Sequence, residues 1–313
     1  MISLTDIQAA AERIAPIARR TPLLDVSAAA GWPLLLKAEN LQPGGAFKIR
    51  GAYNMVAQLT DEQRRRGVIT YSSGNHGQAL ALAARELGAP AVVVMPTTAP
   101  RIKVDGARAF GAEVIFAGTT SVERRTRAEQ EADARRLTMV PPFDHEWIIA
   151  GQATVGLEIL EQRPDVAAVL VPIGGGGLAA GVATAIKLSR PAVQIIGVEP
   201  TGAAAMKASL DAGEPVTLPK TDSIADGLMP VRPGDLTFAH VQKYVDHIVT
   251  VDDRRIADAV LWAFEKVKIV TEPSGAATIA AALGGPDLPG PVVAIVSGGN
   301  MSVDRLEELR RGR

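Results

Sequence analysis

With 313 residues, 47% of them hydrophobic, the chain has the length of about two domains and ample apolar material for their cores. Its 33 Lys and Arg against 34 Asp and Glu leave a formal charge of -1, which removes the basic surplus that nucleic acid or an anionic membrane would call for and points to a small-molecule partner. The absence of cysteine excludes disulfides, thiolate nucleophiles and cysteine zinc sites together, and reads as a cytoplasmic composition.

The first eight residues show no basic segment followed by an apolar run, so no signal peptide is expected. Thr5 with Gln8 reads as a capping box, opening a helix carried by Ala9, Ile14 and Ile17 that ends before Arg19-Arg20-Thr21-Pro22. Leu34-Leu35-Leu36 is a short buried strand that runs towards a glycine turn, Gly44-Gly45. From Lys48 onward, Ile49, Ala52, Tyr53, Val56 and Leu59 share one face at helical spacing, which places Lys48 near a helix N-terminus. A cation there faces the positive end of the dipole and loses roughly 0.3–1 kcal/mol. The same field favours the neutral amine, the form that attacks carbonyls and makes Schiff bases; the alternative is a solvated lysine on an ordinary first turn. Thr60 with Gln63 opens another short helix, whose Arg64-Arg65-Arg66 run reads as a solvated face.

A regular alternation then begins: strand Val68 to Tyr71, helix Gly77 to Leu87, strand Ala91 to Met95, helix Arg101 to Phe110, strand Val114 to Phe116 and a charged helix Val122 to Leu137. Past Pro141-Pro142-Phe143-Asp144 it resumes with a helix from Ile148 to Leu160, a strand from Ala167 to Ile173, a helix from Leu178 to Leu188 and a strand from Val193 to Val198. Helices at Ala203 to Leu210 and Ile256 to Lys266 and a last strand, Val292 to Val296, complete the pattern. Strand and helix in turn imply α/β architecture with parallel sheets. The prolines near 141 suggest a boundary, hence two α/β lobes, one of them discontinuous, with a cleft between. Val166 to Ile186 is uncharged over the length of a membrane span, but Pro172 and four glycines break it, so it reads as buried strand, loop and helix.

Ligands of open α/β sheets bind outside the carboxyl ends of the strands, and three loops there stand out beside that of Lys48. Ser72-Ser73-Gly74-Asn75-His76-Gly77-Gln78 feeds directly into a helix, offering hydroxyls and free N–H groups to a carboxylate. Gly174-Gly175-Gly176-Gly177-Leu178 costs about 1 kcal/mol per glycine in ordering relative to alanine, which a purely structural turn does not explain and a phosphate cradle does. Ser297-Gly298-Gly299-Asn300 adds a neutral hydroxyl. An amine, a carboxylate pocket, a phosphate cradle and a neutral partner together describe a site for pyridoxal 5'-phosphate and an amino acid.

These motifs, Gly-Ala-Phe-Lys-Ile-Arg-Gly-Ala, Ser-Ser-Gly-Asn-His-Gly-Gln-Ala, Ile-Ala-Gly-Gln, the Gly174 to Gly177 run and Ser-Gly-Gly-Asn, resemble the threonine/serine dehydratase and serine racemase family of the tryptophan-synthase-β fold type, in order and over nearly the whole chain. The resemblance implies two open parallel-sheet lobes, a small mobile one at 67–144 and a large cofactor-binding one from 1–66 plus 145–313, in a homodimer. It implies that Lys48 carries the cofactor aldehyde and shuttles the α-proton, that Phe47 packs beside the ring and that Asn75 bonds the ring 3-hydroxyl. Gly174, Gly175, Gly176, Gly177 and Leu178 hold the phosphate, Ser297 faces the pyridine nitrogen, and Ser72, Ser73, Gly74, Asn75 and His76 bind the substrate carboxylate. The implied reaction turns L-threonine or L-serine into a 2-oxo acid and ammonia.

Ser73 keeps serine racemisation open, because racemases of this family use a serine there to protonate the face opposite the lysine; 3-hydroxyaspartate as substrate requires a second cation that the sequence does not single out. Metal-dependent relatives use a glutamate, a carbonyl and an acid, and here Glu199 and Ala203 match the first two while Ala205 replaces the acid, so no metal site is expected. The chain lacks the regulatory extension of biosynthetic threonine deaminases, so no feedback inhibition by isoleucine is expected. A nicotinamide oxidoreductase is the rival from another class: Gly174-x-Gly176-x-x-Ala179 fits a dinucleotide fingerprint and Glu199 ends the next strand, where a ribose-binding acid belongs. That rival leaves the Lys48 and Ser72 to His76 loops unexplained. His145, His240 and His247 have no ligand-like spacing, and Glu272 stands at a helix start or just behind the site.

Overall fold

Aliphatic runs bounded by turns form the strands, and helices rich in alanine cover both faces of the sheets they build. The computed structural model describes residues 1–72, 74–285 and 288–312. Its strands are β1 (Leu23–Asp25), β2 (Leu34–Lys37), β3 (Val68–Tyr71), β4 (Ala91–Met95), β5 (Glu113–Phe116), β6 (Thr138–Met139), β7 (Ala168–Pro172), β8 (Gln194–Pro200), β9 (His247–Val251) and β10 (Val292–Ile295). They form two sheets, β1-β2-β10-β7-β8-β9 and β5-β4-β3-β6. All pairings are parallel except β1 with β2, where the Val26–Pro33 connection is too short for a crossover and turns the chain back antiparallel.

Both sheets are buried on two faces, as parallel sheets must be. Val169, Val171, Val293 and Ile295 point into one apolar layer of the large sheet and Leu34, Leu36, Leu170, Ala294 and Val198 into the other. In the small sheet, Val68, Val93 and Met95 face the cluster shared with Ile49, Tyr53 and Val56, so the helix that begins at Lys48 packs against that sheet.

Small residues let the central helices touch backbone to backbone. A Cβ on Gly151 would fall 2.6 Å from Arg50 O and from Gly51 Cα, and one on Gly181 would fall 2.6 Å from Ala153 N. Helices Lys48–Val56, Glu146–Gln162 and Gly177–Ser189 are thereby locked as a layer. Beneath them Arg50 makes a bidentate pair with buried Glu39 at 2.8 Å and reaches Glu158 at 2.7 Å, while Lys37 pairs with the other oxygen of Glu158.

Most strand bounds agree with the sequence within a residue or two; the first helix is the exception worth noting. It runs Leu4–Ile14, capped by Ser3 and Asp6 rather than Thr5 and Gln8, because Asp6 both accepts from the Ser3 N–H and places its charge at the positive helix end. The Thr60 and Gln63 capping box is present as read. The uncharged Val166 to Ile186 window divides into β7, a glycine turn and helix Gly177–Ser189, and among the described residues no helix is long and apolar enough to cross a membrane.

Candidate active site

Strand ends and the turns after them converge from both lobes on Lys48. Gly44 and Gly45, at φ of 76° and 74°, swing the chain so that Ala46 bridges Gly298 and the Phe47 N–H bonds Ser297 O at 3.1 Å. A side chain on Gly45 would land 2.3 Å from Asn300 Oδ1. Asn300 in turn donates from Nδ2 to Gly44 O at 2.8 Å and to Asn75 Oδ1 at 3.0 Å. Three of the loops singled out in the sequence are thus stitched together at one place.

Lys48 is the first residue of its helix, with no acid in the first turn. Its Nζ donates to Pro142 O at 2.6 Å and stands 5.1 Å from the Phe47 ring centroid. Burial, unopposed by any carboxylate, brings its pKa down to about 8. A working fraction of the amine is therefore neutral near physiological pH.

The glycine loop lies against the same segment, since a Cβ on Gly175 would fall 2.3 Å from Phe143 Cδ1 and one on Gly177 would fall 3.0 Å from Phe143 Cβ. Gly176 sits at φ 95°, where a side chain would also meet Met206 and Thr237. The Thr237 hydroxyl holds the loop from behind by donating to Gly175 O at 2.6 Å. No described acceptor bonds the backbone N–H groups of Gly174, Gly175, Gly176, Gly177 or buried Leu178, at the start of a 13-residue helix that no side chain caps. Free donors at a positive helix end fit a phosphate group, and with the amine of Lys48 and the neutral Ser297 they fit pyridoxal phosphate.

On the small lobe, Ser72 Oγ accepts from the Gly74 N–H at 3.2 Å, and Asn75 starts a 12-residue helix whose N-cap, Gly74, carries no side-chain acceptor. Ser73 lies outside the described residues. His76 is buried and its Nε2 bonds Val140 O at 3.1 Å, while Nδ1 has no partner. Burial first and the Lys48 charge second push its pKa down to about 3, so it stays neutral. Ser297, buried at the end of β10, spends its hydroxyl hydrogen weakly on Ser274 O at 3.4 Å.

Glu199 does not serve a ribose. Both of its oxygens are taken by the N–H groups of Met206 (2.9 Å) and Lys207 (2.8 Å), which closes the dinucleotide reading at its acidic end. Burial lifts its pKa to about 7. Among the described residues no group of three or more His, Cys, Asp and Glu stands together as a metal site. His145 caps helix Glu146–Gln162, and His240 accepts from the Ile2 N–H at 3.1 Å. Sequence reasoning missed Pro142 and Phe143 as neighbours of the amine, Thr237 behind the glycine loop, and Lys103, which lies over Gly74; the last two carry no local signal.

A family model described as pyridoxal-phosphate dependent enzyme matches residues 14–298. The chain is 44% identical to an L-threonine ammonia-lyase of Thermotoga maritima over 99% of its own length and 78% of the relative's. Against the biosynthetic L-threonine dehydratase of Escherichia coli, identity is 48% over 79% of this chain, which spans 48% of that longer protein. Among solved structures, maize serine racemase superposes with a TM-score of 0.93 at 39% identity, covering 99% of this chain and 97% of that one.

Proposed function

The chain belongs to the pyridoxal-phosphate-dependent enzymes, and from that premise we propose that it is an ammonia-lyase converting L-threonine, L-serine or both into a 2-oxo acid and ammonia. The observation that carries this reading is a desolvated amine, Lys48, bonded to Pro142 O, whose neighbour Phe143 lies against a run of N–H groups at Gly174 to Leu178 that no described acceptor bonds.

Lys48 is the residue to hold the cofactor aldehyde, with Phe47 beside the ring, Asn75 at the ring 3-oxygen, Gly174 to Leu178 around the phosphate and Ser297 at the pyridine nitrogen. The cofactor, when bound, supplies the electron sink for negative charge at the substrate α-carbon. Lys48, its pKa lowered to about 8, takes the α-proton as a neutral base once it is released. The uncapped N–H groups at Asn75 and His76, with Ser72 and Ser73, hold the substrate carboxylate and so orient the α-hydrogen towards that amine. A neutral serine at the ring nitrogen, unlike an acid, would not enforce a protonated ring, which supports elimination over transamination.

Serine racemisation is the second reading, favoured by the likeness to maize serine racemase and by a serine at 73. A 3-hydroxyaspartate has less support, because Lys103, the cation over the carboxylate loop, is committed to Asp226 and Glu272. The chain works in the cytoplasm as a homodimer, free of membrane and nucleic acid, with 67–144 moving against 1–66 plus 145–313.

The test incubates purified protein with L-threonine, L-serine and L-threo-3-hydroxyaspartate and follows both oxo acid and D-amino acid. Borohydride reduction and peptide mapping then locate the cofactor. Oxo acid from threonine or serine, with the cofactor fixed on Lys48, is the expected result. A colourless protein, or fixation elsewhere, ends the proposal, and D-serine outpacing pyruvate replaces it with the racemase.

A further inference from the structure

Helix Arg101–Ala109 of the small lobe sends Lys103 across the cleft into the large lobe, where only 4% of it remains exposed. Its ammonium bonds Asp226 Oδ2 and lies 3.5 Å from Glu272 Oε2. Glu272 is equally buried, and that oxygen has no hydrogen-bond partner, so Lys103 is the cation that compensates it. The other oxygen, Oε1, accepts from Asn75 Nδ2. Asn75 Oδ1 accepts from Asn300 Nδ2, whose donor role is fixed by its second bond to Gly44 O. An ionised carboxylate can only accept and an amide nitrogen can only donate. These two partners hold the Asn75 amide in one orientation, with one Nδ2 hydrogen left for a ligand.

We propose that Lys103 is a positioning residue of the reaction: reaching across the lobe cleft, it keeps Glu272 an acceptor and thereby keeps the Asn75 amide turned with its remaining N–H towards the ring oxygen of the cofactor. This rests on the ammonia-lyase reading, in which Asn75 serves that oxygen.

The electrostatics set the direction. Burial first, with the facing Asp226 carboxylate, lifts the Glu272 pKa above the usual carboxylate value, and Lys103 and the bond from Asn75 limit that rise. Burial also works against the Lys103 charge, but Glu272 and Asp226 outweigh it and hold its pKa above the usual lysine value. Arg305 and Glu308 line the same cavity of about 390 Å³ without pairing to Glu272; Arg305 is bonded to Glu308 at 2.8 Å. Without Lys103, two carboxylates share the site with no described cation paired to either, and the buried Glu272 takes up a proton. Protonated Glu272 becomes a donor facing the Asn75 amine group, and the amide is free to turn its oxygen to the ligand instead.

The experiment uses holoenzyme: Lys103→Met, Lys103→Arg and the double variant Lys103→Met/Glu272→Gln, whose cluster keeps the wild-type net charge. The readouts are the pH titration of the visible absorbance of the bound cofactor, and kcat and KM for elimination. Lys103→Met should show an acid transition, in absorbance and in kcat, at least one pH unit above any in the wild type, with KM within about twofold. Lys103→Arg should restore the wild-type curve, and the double variant should be flat across that range. A Lys103→Met titration that coincides with wild type while only thermal stability falls reduces Lys103 to a structural tie and overturns the proposal. So does a transition that persists in the double variant, which also decides the matter if Lys103→Met does not fold. Wild-type protein that takes up no coloured cofactor instead overturns the parent reading and this inference with it.

Discussion

Lys48 shows how little is needed to turn a common side chain into a reagent. The three usual influences on a pKa are burial, neighbouring charge and hydrogen bonding, and here burial alone is responsible for bringing the amine to about 8, while the carbonyl of Pro142 aims it. His76 cannot compete for the same proton, because its pKa near 3 keeps it neutral through the working range. The neutral amine is the reactive form, so its fraction rises with pH through 8, from about a tenth at pH 7 to nearly all by pH 9.5. Capture of pyridoxal phosphate by cofactor-free protein should therefore accelerate about tenfold between pH 7 and a plateau above pH 9, followed as the growth of visible absorbance after rapid mixing. A midpoint near 10 would mean that burial does not tune this lysine. Lys48→Ala should abolish both the colour and turnover.

A side chain is only as well placed as the element that carries it, and the helix Lys48–Val56 is held from beneath by charge. Arg50, fully buried two positions after Lys48, bridges Glu39 and Glu158. Removing one partner of a buried pair strands the other, at about 3–5 kcal/mol. Arg50→Met should cost that much in denaturant unfolding, and Arg50→Lys should recover only part of it, since a point charge cannot reach both carboxylates with a fork. The glycine loop depends on backbone shape instead. Gly176→Ala forces a side chain into a left-handed position 2.6 Å from Met206 Cε, so a loss of about 1–3 kcal/mol and weaker retention of the cofactor on dialysis are expected. Both features trace to what the sequence could and could not say. The loops were legible because four glycines, or a lysine at a helix start, contradict local preference and need a reason. β3 and β4 were legible as short apolar runs between turn residues. The two-residue β6 and the mixed β9 carry too little pattern to read, and helix Pro273–Leu283 is buried on every side, so it has no polar face to betray a period. Helix Val303–Arg311 buries only Leu309 and is otherwise mostly charged, so it offers no apolar stripe to read. Lys103, Asp226 and Glu272 lie far apart in the chain and meet only through the packing of one lobe on the other, which no local pattern encodes.

At the scale of the whole molecule, the two sheets divide the work of holding one small substrate. The large sheet carries the glycine loop and Ser297 at its strand ends; the small sheet leads into the helix start at Asn75 that is suited to a carboxylate, and Lys48 lies between them. In the proposed site, an amino acid joined to the cofactor on one side and held by its carboxylate on the other would bridge the cleft, so its binding free energy would favour whichever arrangement brings the lobes together. Lys103 already spans that gap to Asp226 and Glu272, which makes the region around it a natural reporter of closure. Glycine, which has a carboxylate and an amine but no β-hydroxyl to eliminate, should protect the amides of segments 72–78 and 96–103 from hydrogen exchange at least several-fold in holoenzyme at saturation. The same ligand should leave cofactor-free protein unprotected, because one end of the bridge is then missing. Equal exchange with and without glycine in the holoenzyme would show that the lobes hold one arrangement throughout, and that the substrate enters a site already closed around it.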